Sequence, residues 1–133
     1  MNWLLEAGSA GIAAAESNVK MVIAVREDLG MGAGKVAAQC AHAAVDLYRT
    51  LSRQNGPASA VLEQWELNGE TKIVVGCKNA DALVKLATTA EAVQDVTCSI
   101  IRDAGRTEVA AGSMTVAVRA SVPFYVCSSD VRA

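Results

Sequence analysis

The chain has 133 residues, 52% of them apolar and only 4% aromatic, and its formal net charge is -2. That length is one ordinary domain able to bury a core without staples. The mild acidity excludes a nucleic-acid binder that works by bulk charge, so any polyanion has to be met by a local patch. No stretch approaches the roughly 18 apolar residues of a membrane span, and the N-terminal segment lacks the basic start and apolar run of a secretory signal. No membrane partner is expected. The expected location is the cytoplasm, with mitochondrial association as the alternative.

Residues 1–19 contain Asn2-Trp-Leu-Leu-Glu-Ala-Gly and a small-residue stretch, Ser9–Ser17. They read as an arm, a tail, or the last turn of an upstream helical module, and residues 20–120 read as the folded domain. Lys20–Arg26 is apolar at nearly every position, as a strand buried on both faces should be. A glycine-rich turn follows, Gly30-Met-Gly-Ala-Gly34, and opens a helix predicted over Lys35–Arg53. Its apolar positions Val36, Cys40, Ala43, Ala44, Leu47 and Leu51 recur at helical spacing. The other stripe is Lys35, Gln39, His42, Asp46, Arg49 and Arg53.

Gln54-Asn-Gly-Pro57 stops that helix, and a short second one is predicted over Ala58–Glu66 before the Asn68-Gly69 turn. Then come a strand (Thr71–Cys77), a helix (Asp81–Ala92, capped by Asn79 or Asp81) and a strand (Val96–Ile101). A polar turn from Asp103 leads through Gly112-Ser113 into a last strand, Met114–Arg119. Helices between strands imply crossover connections and helices on both faces of a sheet. The last connection has no helix and allows an antiparallel neighbour. The expected architecture is an α/β fold, a three-layer α/β/α sandwich on a mixed four-stranded sheet. Residues 121–133 show no helix period, and both ends of the chain are expected to be weakly held.

The four cysteines, Cys40, Cys77, Cys98 and Cys127, form no C-x-x-C pair, and His42 is the single histidine. They read as reduced core residues, with no metal site and no cofactor expected. The glycine run does not fit nucleotide motifs. A P-loop needs four residues between its glycines and Ser or Thr after the lysine, whereas three separate Gly30 from Gly34 and Val36 follows Lys35. The dinucleotide pattern fails as well, because the third glycine is one residue early.

Such a turn can still aim backbone N–H groups outward at an oxyanion. Lys35 in the first helical turn opposes the helix dipole unless an anion lies near, and Asp103 is the natural candidate. Asp103-Ala-Gly-Arg-Thr107 offers a carboxylate that orients or accepts a proton, an arginine fork for phosphate or carboxylate, and a hydroxyl to position water. A plain surface pair of Asp103 or Glu108 with Arg102 or Arg106 is the competing structural reading. His42 reads as structural or as a site residue, and Arg49 and Arg53 as a solvated face or a phosphate track.

Taken together, KMVIAVREDLGMGAGKVAAQCAHAAVDLY, QWELNGETKIVV and DAGRTEVAAGSMTV resemble the peptidyl-tRNA hydrolase family of the archaeal and eukaryotic type, in the right order from Lys20 to Val118. The resemblance implies a small α/β fold with a mixed four-stranded sheet. It also implies hydrolysis of the ester joining a peptide to tRNA, without metal or cofactor. It maps catalytic roles onto Lys35, Asp103, Thr107 and Thr115. Gln39, His42 and Arg106 map as supporting or substrate-contacting positions; from the residues themselves, the amides of Gly32 and Gly34 and the Arg49/Arg53 stripe are expected to meet the substrate as well. The partner would be the single-stranded acceptor end of peptidyl-tRNA.

Two positions and one segment depart from the family pattern. Glu108 stands where Gln is usual, Ala111 replaces a usual proline, and Ser121-Val-Pro-Phe-Tyr-Val-Cys-Ser-Ser-Asp replaces a helix and closing segment. An uncovered sheet would leave an apolar patch for a partner subunit or a disordered cover, so a homodimer is one of two expectations. The alternative function is a catalytically weak tRNA- or protein-binding regulatory protein on the same fold.

Overall fold

The computed structural model describes residues 19–92, 97–106, 109–121 and 131–132, and among these described residues it has eight elements. They are β1 (Lys20–Arg26), α1 (Ala33–Ser52), α2 (Pro57–Leu67), β2 (Lys72–Cys77), α3 (Ala80–Ala92), β3 (Cys98–Arg102), β4 (Met114–Ser121) and β5 (Val131–Arg132). The expectations for residues 1–18 and most of those for 122–133 lie outside the described residues.

Local chemistry sets the helix starts. α1 begins two residues before Lys35, after Gly32 in extended conformation (φ -65°, ψ 161°). α2 starts on Pro57, whose missing N–H is harmless in a first turn. At α3 the cap is Asn79, whose Oδ1 accepts the Ala82 N–H at 2.9 Å.

The sheet runs β3-β4-β1-β2-β5. β1 pairs parallel with β2 and antiparallel with β4, which in turn pairs antiparallel with β3. The four expected strands form the mixed sheet, and a fifth strand adds to its edge. Val131 and Arg132 pair antiparallel with Cys77 and Gly76. The expectation of a weakly held C-terminal segment is corrected there, because two backbone partners on β2 tie these residues down.

β1 is central, and its alternation divides the core. Met21, Ile23 and Val25 pack with Leu47 and Leu51 of α1 and Leu62 and Trp65 of α2. Val22 and Ala24 point the other way and pack with Val75, Cys77 and the α3 residues Ala82 and Leu83. A strand buried on both faces must be apolar throughout, which is why β1 lacks the polar alternation of a half-exposed strand. Each fully buried side chain such as Leu47 or Leu83 contributes about 1.5–3 kcal/mol of hydrophobic stabilisation.

Among the described cysteines Cys77 is buried and Cys40 and Cys98 are partly buried, all unbridged. Burial pushes the Cys77 thiol up to about 11 and raises Cys40 as well. Such thiols carry little thiolate at neutral pH and make poor nucleophiles.

Candidate active site

The end of β1 leads into the glycine turn and the N-terminus of α1, and the end of β3 leads into the Asp103 turn. β1 and β3 are both antiparallel to β4 and so run the same way, which brings both turns to one end of the sheet. There Lys35 Nζ donates to Asp103 Oδ1 in an ion pair whose side chains are 10% and 5% exposed. Gln39, one helical turn after Lys35, donates its Nε2 to the same oxygen at 3.1 Å. The second oxygen, Oδ2, accepts the Gly105 N–H at 2.6 Å.

These donors all favour the charged carboxylate. The hydrogen bond from Lys35 holds Asp103 below the ordinary carboxylate range; burial works against it, and the Gly105 N–H supports it. The backbone of Asp103 is equally fixed, since its N–H donates to Ser113 O at 2.9 Å and its carbonyl accepts from Gly112 at 2.7 Å.

Gln39 is the hub. Its Oε1 accepts the fully buried Thr115 hydroxyl at 2.9 Å, and Ile101 O lies 3.3 Å from the same hydroxyl. One amide therefore joins Thr115 on β4 to Asp103 after β3, and both its ends are used with the correct polarity.

A β-bulge puts Thr115 there. Ile101 opposes Val116 and Arg102 opposes Met114, so Thr115 is an extra residue on β4. The alternation flips across it. Ala117 and Met114, three positions apart, both pack with the α3 core, which a regular period of two forbids. Thr115 is thereby turned to the α1 side, where Val116 also packs. Register is not visible in a single strand's residues, so the sequence carried no sign of this.

The other candidates sit around this corner or away from it. Gly32 caps α1 without a side chain, Gly34 lies in its exposed first turn, and that turn holds no acidic residue. The negative charge that meets Lys35 comes from Asp103, on the other turn. Arg106 is exposed three residues past Asp103, and Thr107 lies outside the described residues. His42 and Arg49 line a groove on the outer side of α1 with Ala38, Ala41, Val45 and Asp46. Arg53 is exposed just beyond the helix. Arg49 is about 21 Å along the helix axis from Lys35 and His42 about 10 Å, and both line the outer groove, away from the buried cluster. Arg102 does not pair with Asp103; it donates to Gly112 O at 3.2 Å.

Two partners were not singled out from sequence. Gly105 supplies its amide through the Asp-x-Gly turn, a recognisable signal. Arg26 donates to the carbonyl of Met114 at 3.0 Å, a contact no local pattern announces. Among the described residues no three His, Cys, Asp or Glu side chains converge to hold a metal. No described helix is long and apolar enough to cross a membrane.

A family model for Peptidyl-tRNA hydrolase PTH2 matches residues 19–123. The bovine (Bos taurus) protein named "Peptidyl-tRNA hydrolase 2, mitochondrial" is 47% identical over 107 residues, 80% of this chain and 58% of its own. The human protein of that name is also 47% identical, over 73% of this chain and 52% of its own. A "Peptidyl-tRNA hydrolase" of Methanocaldococcus jannaschii is 37% identical over 73% of this chain and 81% of its own. The chain thus spans little more than half the length of the mammalian relatives and most of the archaeal one. With the matched region covering every described strand but β5, the chain belongs to the Peptidyl-tRNA hydrolase PTH2 family.

Proposed function

We propose that the protein hydrolyses the ester joining a peptide to the terminal ribose of tRNA, releasing free tRNA and peptide by direct attack of water. Family membership supports the substrate. The observation that carries the reading is the Lys35–Asp103–Gln39–Thr115 cluster at the open N-terminus of α1.

Ester hydrolysis needs a positioned water, a group to take its proton, and donors for the tetrahedral oxyanion. Lys35 and the first amides of α1, including Gly34, supply positive potential where the oxyanion develops. Asp103 acts chiefly by orienting Lys35. Its lowered pKa makes it a weak proton acceptor, and its oxygens already accept from Lys35, Gln39 and Gly105. Thr115, through Gln39, fixes that carboxylate. Thr107 is assigned the water or the ester by the motif alone. His42, Arg49, Arg53 and Arg106 are assigned to the tRNA, whose single-stranded end is read by phosphate and ribose contacts.

The same reading places the protein in the cytoplasm, with mitochondrial association as the alternative that its mammalian relatives' names supply. It includes a homodimer, whose partner would cover apolar surface such as Val74 at the β2 edge, 50% exposed. Sedimentation of the purified chain gives its mass. The deciding experiment for the activity is incubation of the full chain with peptidyl-tRNA. Release of free tRNA above the uncatalysed rate is expected, and binding without release would leave the regulatory reading.

A further inference from the structure

Arg26 ends β1 on the face opposite the catalytic cluster, following Val22 and Ala24, which pack with the α3 core. Its guanidinium forks the Asp28 carboxylate, Nε to Oδ1 at 2.9 Å and Nη2 to Oδ2 at 2.7 Å. The remaining nitrogen, Nη1, donates to the carbonyl of Met114 at 3.0 Å. Met114 is the residue before the bulge, and Thr115 is the bulge. One planar group therefore holds both the Asp28 turn that precedes α1 and the first carbonyl of β4.

Geometry makes this more than a surface pair. The Arg26 side chain is 13% exposed, and its three nitrogens lie in one rigid plane. With Asp28 occupying two of them, the third has a fixed direction, toward a carbonyl adjacent to the bulge. A bulge interrupts the ladder, so its orientation depends on partners outside the ladder. Arg26 is such a partner, and its hydrogen bonds go to Asp28 and Met114, not to Lys35 or Asp103.

We propose that Arg26 is a positioning residue for this site: braced by Asp28, it fixes the Met114 carbonyl and hence the bulge that turns Thr115 toward Gln39. The inference rests on the hydrolase reading for its kinetic consequence, but its structural consequence can be read without activity. Lysine keeps the charge and cannot fork Asp28 while reaching Met114, so Arg26→Lys is the informative change.

The test is a double-mutant cycle on the full chain, with Arg26→Lys, Thr115→Val and the pair. Arg26→Lys should lower kcat about ten- to hundredfold, the scale of a slightly misplaced group, with KM within about twofold. In the Thr115→Val background it should lower kcat no further, because its path runs through Thr115. The second readout is the Gln39 side-chain amide resonance by NMR, which should move in Arg26→Lys as it does in Thr115→Val. Asp28→Asn, at an exposed position, should give the same changes more weakly and serves if Arg26→Lys does not fold. Additive losses in kcat, or an unmoved Gln39 amide, would overturn the proposal. Should the unaltered chain not hydrolyse peptidyl-tRNA, the function reading fails and the Gln39 amide alone decides the role of Arg26.

Discussion

Lys35 and Asp103, 68 residues apart in the chain, meet as a buried ion pair at the N-terminus of α1. A cation in a first helical turn opposes the macrodipole by up to about 1 kcal/mol, and the carboxylate of a distant turn offsets that. In the proposed hydrolysis, the pair holds the ammonium where the oxyanion would form. Its polarity suits catalysis better than fold stability, since an apolar pair would hold the same two elements together.

Removing either partner should therefore strip activity and stability together. Lys35→Ala and Asp103→Asn are each expected to cut ester hydrolysis by about two orders of magnitude, the scale of a lost charge-stabilising group. The double change Lys35→Met with Asp103→Leu should recover stability relative to either single change while activity stays lost. Single-turnover assays and urea denaturation on the same samples separate the two effects.

Acid should unfold the protein through its paired carboxylates. Asp103 is held below its ordinary value of 3.8 by Lys35, and Asp28 by Arg26. With folded pKa values depressed, the unfolded chain takes up protons first. Both contributions are thus complete above the unfolded pKa and are lost as pH falls from about 4 through the folded values. Urea midpoints measured from pH 6 to pH 2 should drop in that window. Asp103→Asn should flatten the drop, and a steep loss near pH 6 instead would point to another group.

Gly105 should tolerate no side chain. Its φ is 73°, and an added Cβ would lie 2.6 Å from the backbone of Ala111. Gly112 has φ 80° with nothing within 4 Å of the same position. Gly112→Ala should thus cost only the backbone term, about 1 kcal/mol, whereas Gly105→Ala should cost more, about 2–3 kcal/mol, and displace the amide that holds Asp103 Oδ2. Equal denaturation midpoints for the two variants would refute the steric account. Activity should fall with Gly105→Ala and stay near normal with Gly112→Ala.

Under the proposed function, a protein of net charge -2 has to hold tRNA through a local patch. Arg49 and Arg53 extend the Lys35 edge of α1, and only a few phosphates can be engaged. Log affinity should fall with log salt at a slope of magnitude about 2 to 4, given roughly 0.7 to 0.9 per neutralised phosphate. Arg49→Glu and Arg53→Glu should weaken binding and flatten the slope while sparing hydrolysis of a short aminoacyl ester. Filter binding across a salt series decides it; unchanged slopes would mark this stripe as a solvated face.

The periodicities of this chain determined its main elements. β1 was legible over Lys20–Arg26 because a strand covered on both faces has to be apolar throughout, and α1 because its apolar positions return every three or four residues. The sequence also marked Lys35 as a cation needing an anion, and Asp103 as a carboxylate in a turn too polar for a simple connection. What it could not determine were relations between strands. The bulge that turns Thr115 toward α1 is a property of β4 measured against β3, and β5 exists only because β2 offers two backbone partners at its edge. The polar stripe of α1 looked uniform, yet Lys35 and Gln39 turn to Asp103 while His42 and Arg49 face outward. A helix's own spacing gives the angle of each side chain about its axis. Seven residues apart, Lys35 and His42 share nearly one angle, so which of them meets the buried carboxylate is decided by how far along the helix the neighbouring strand ends.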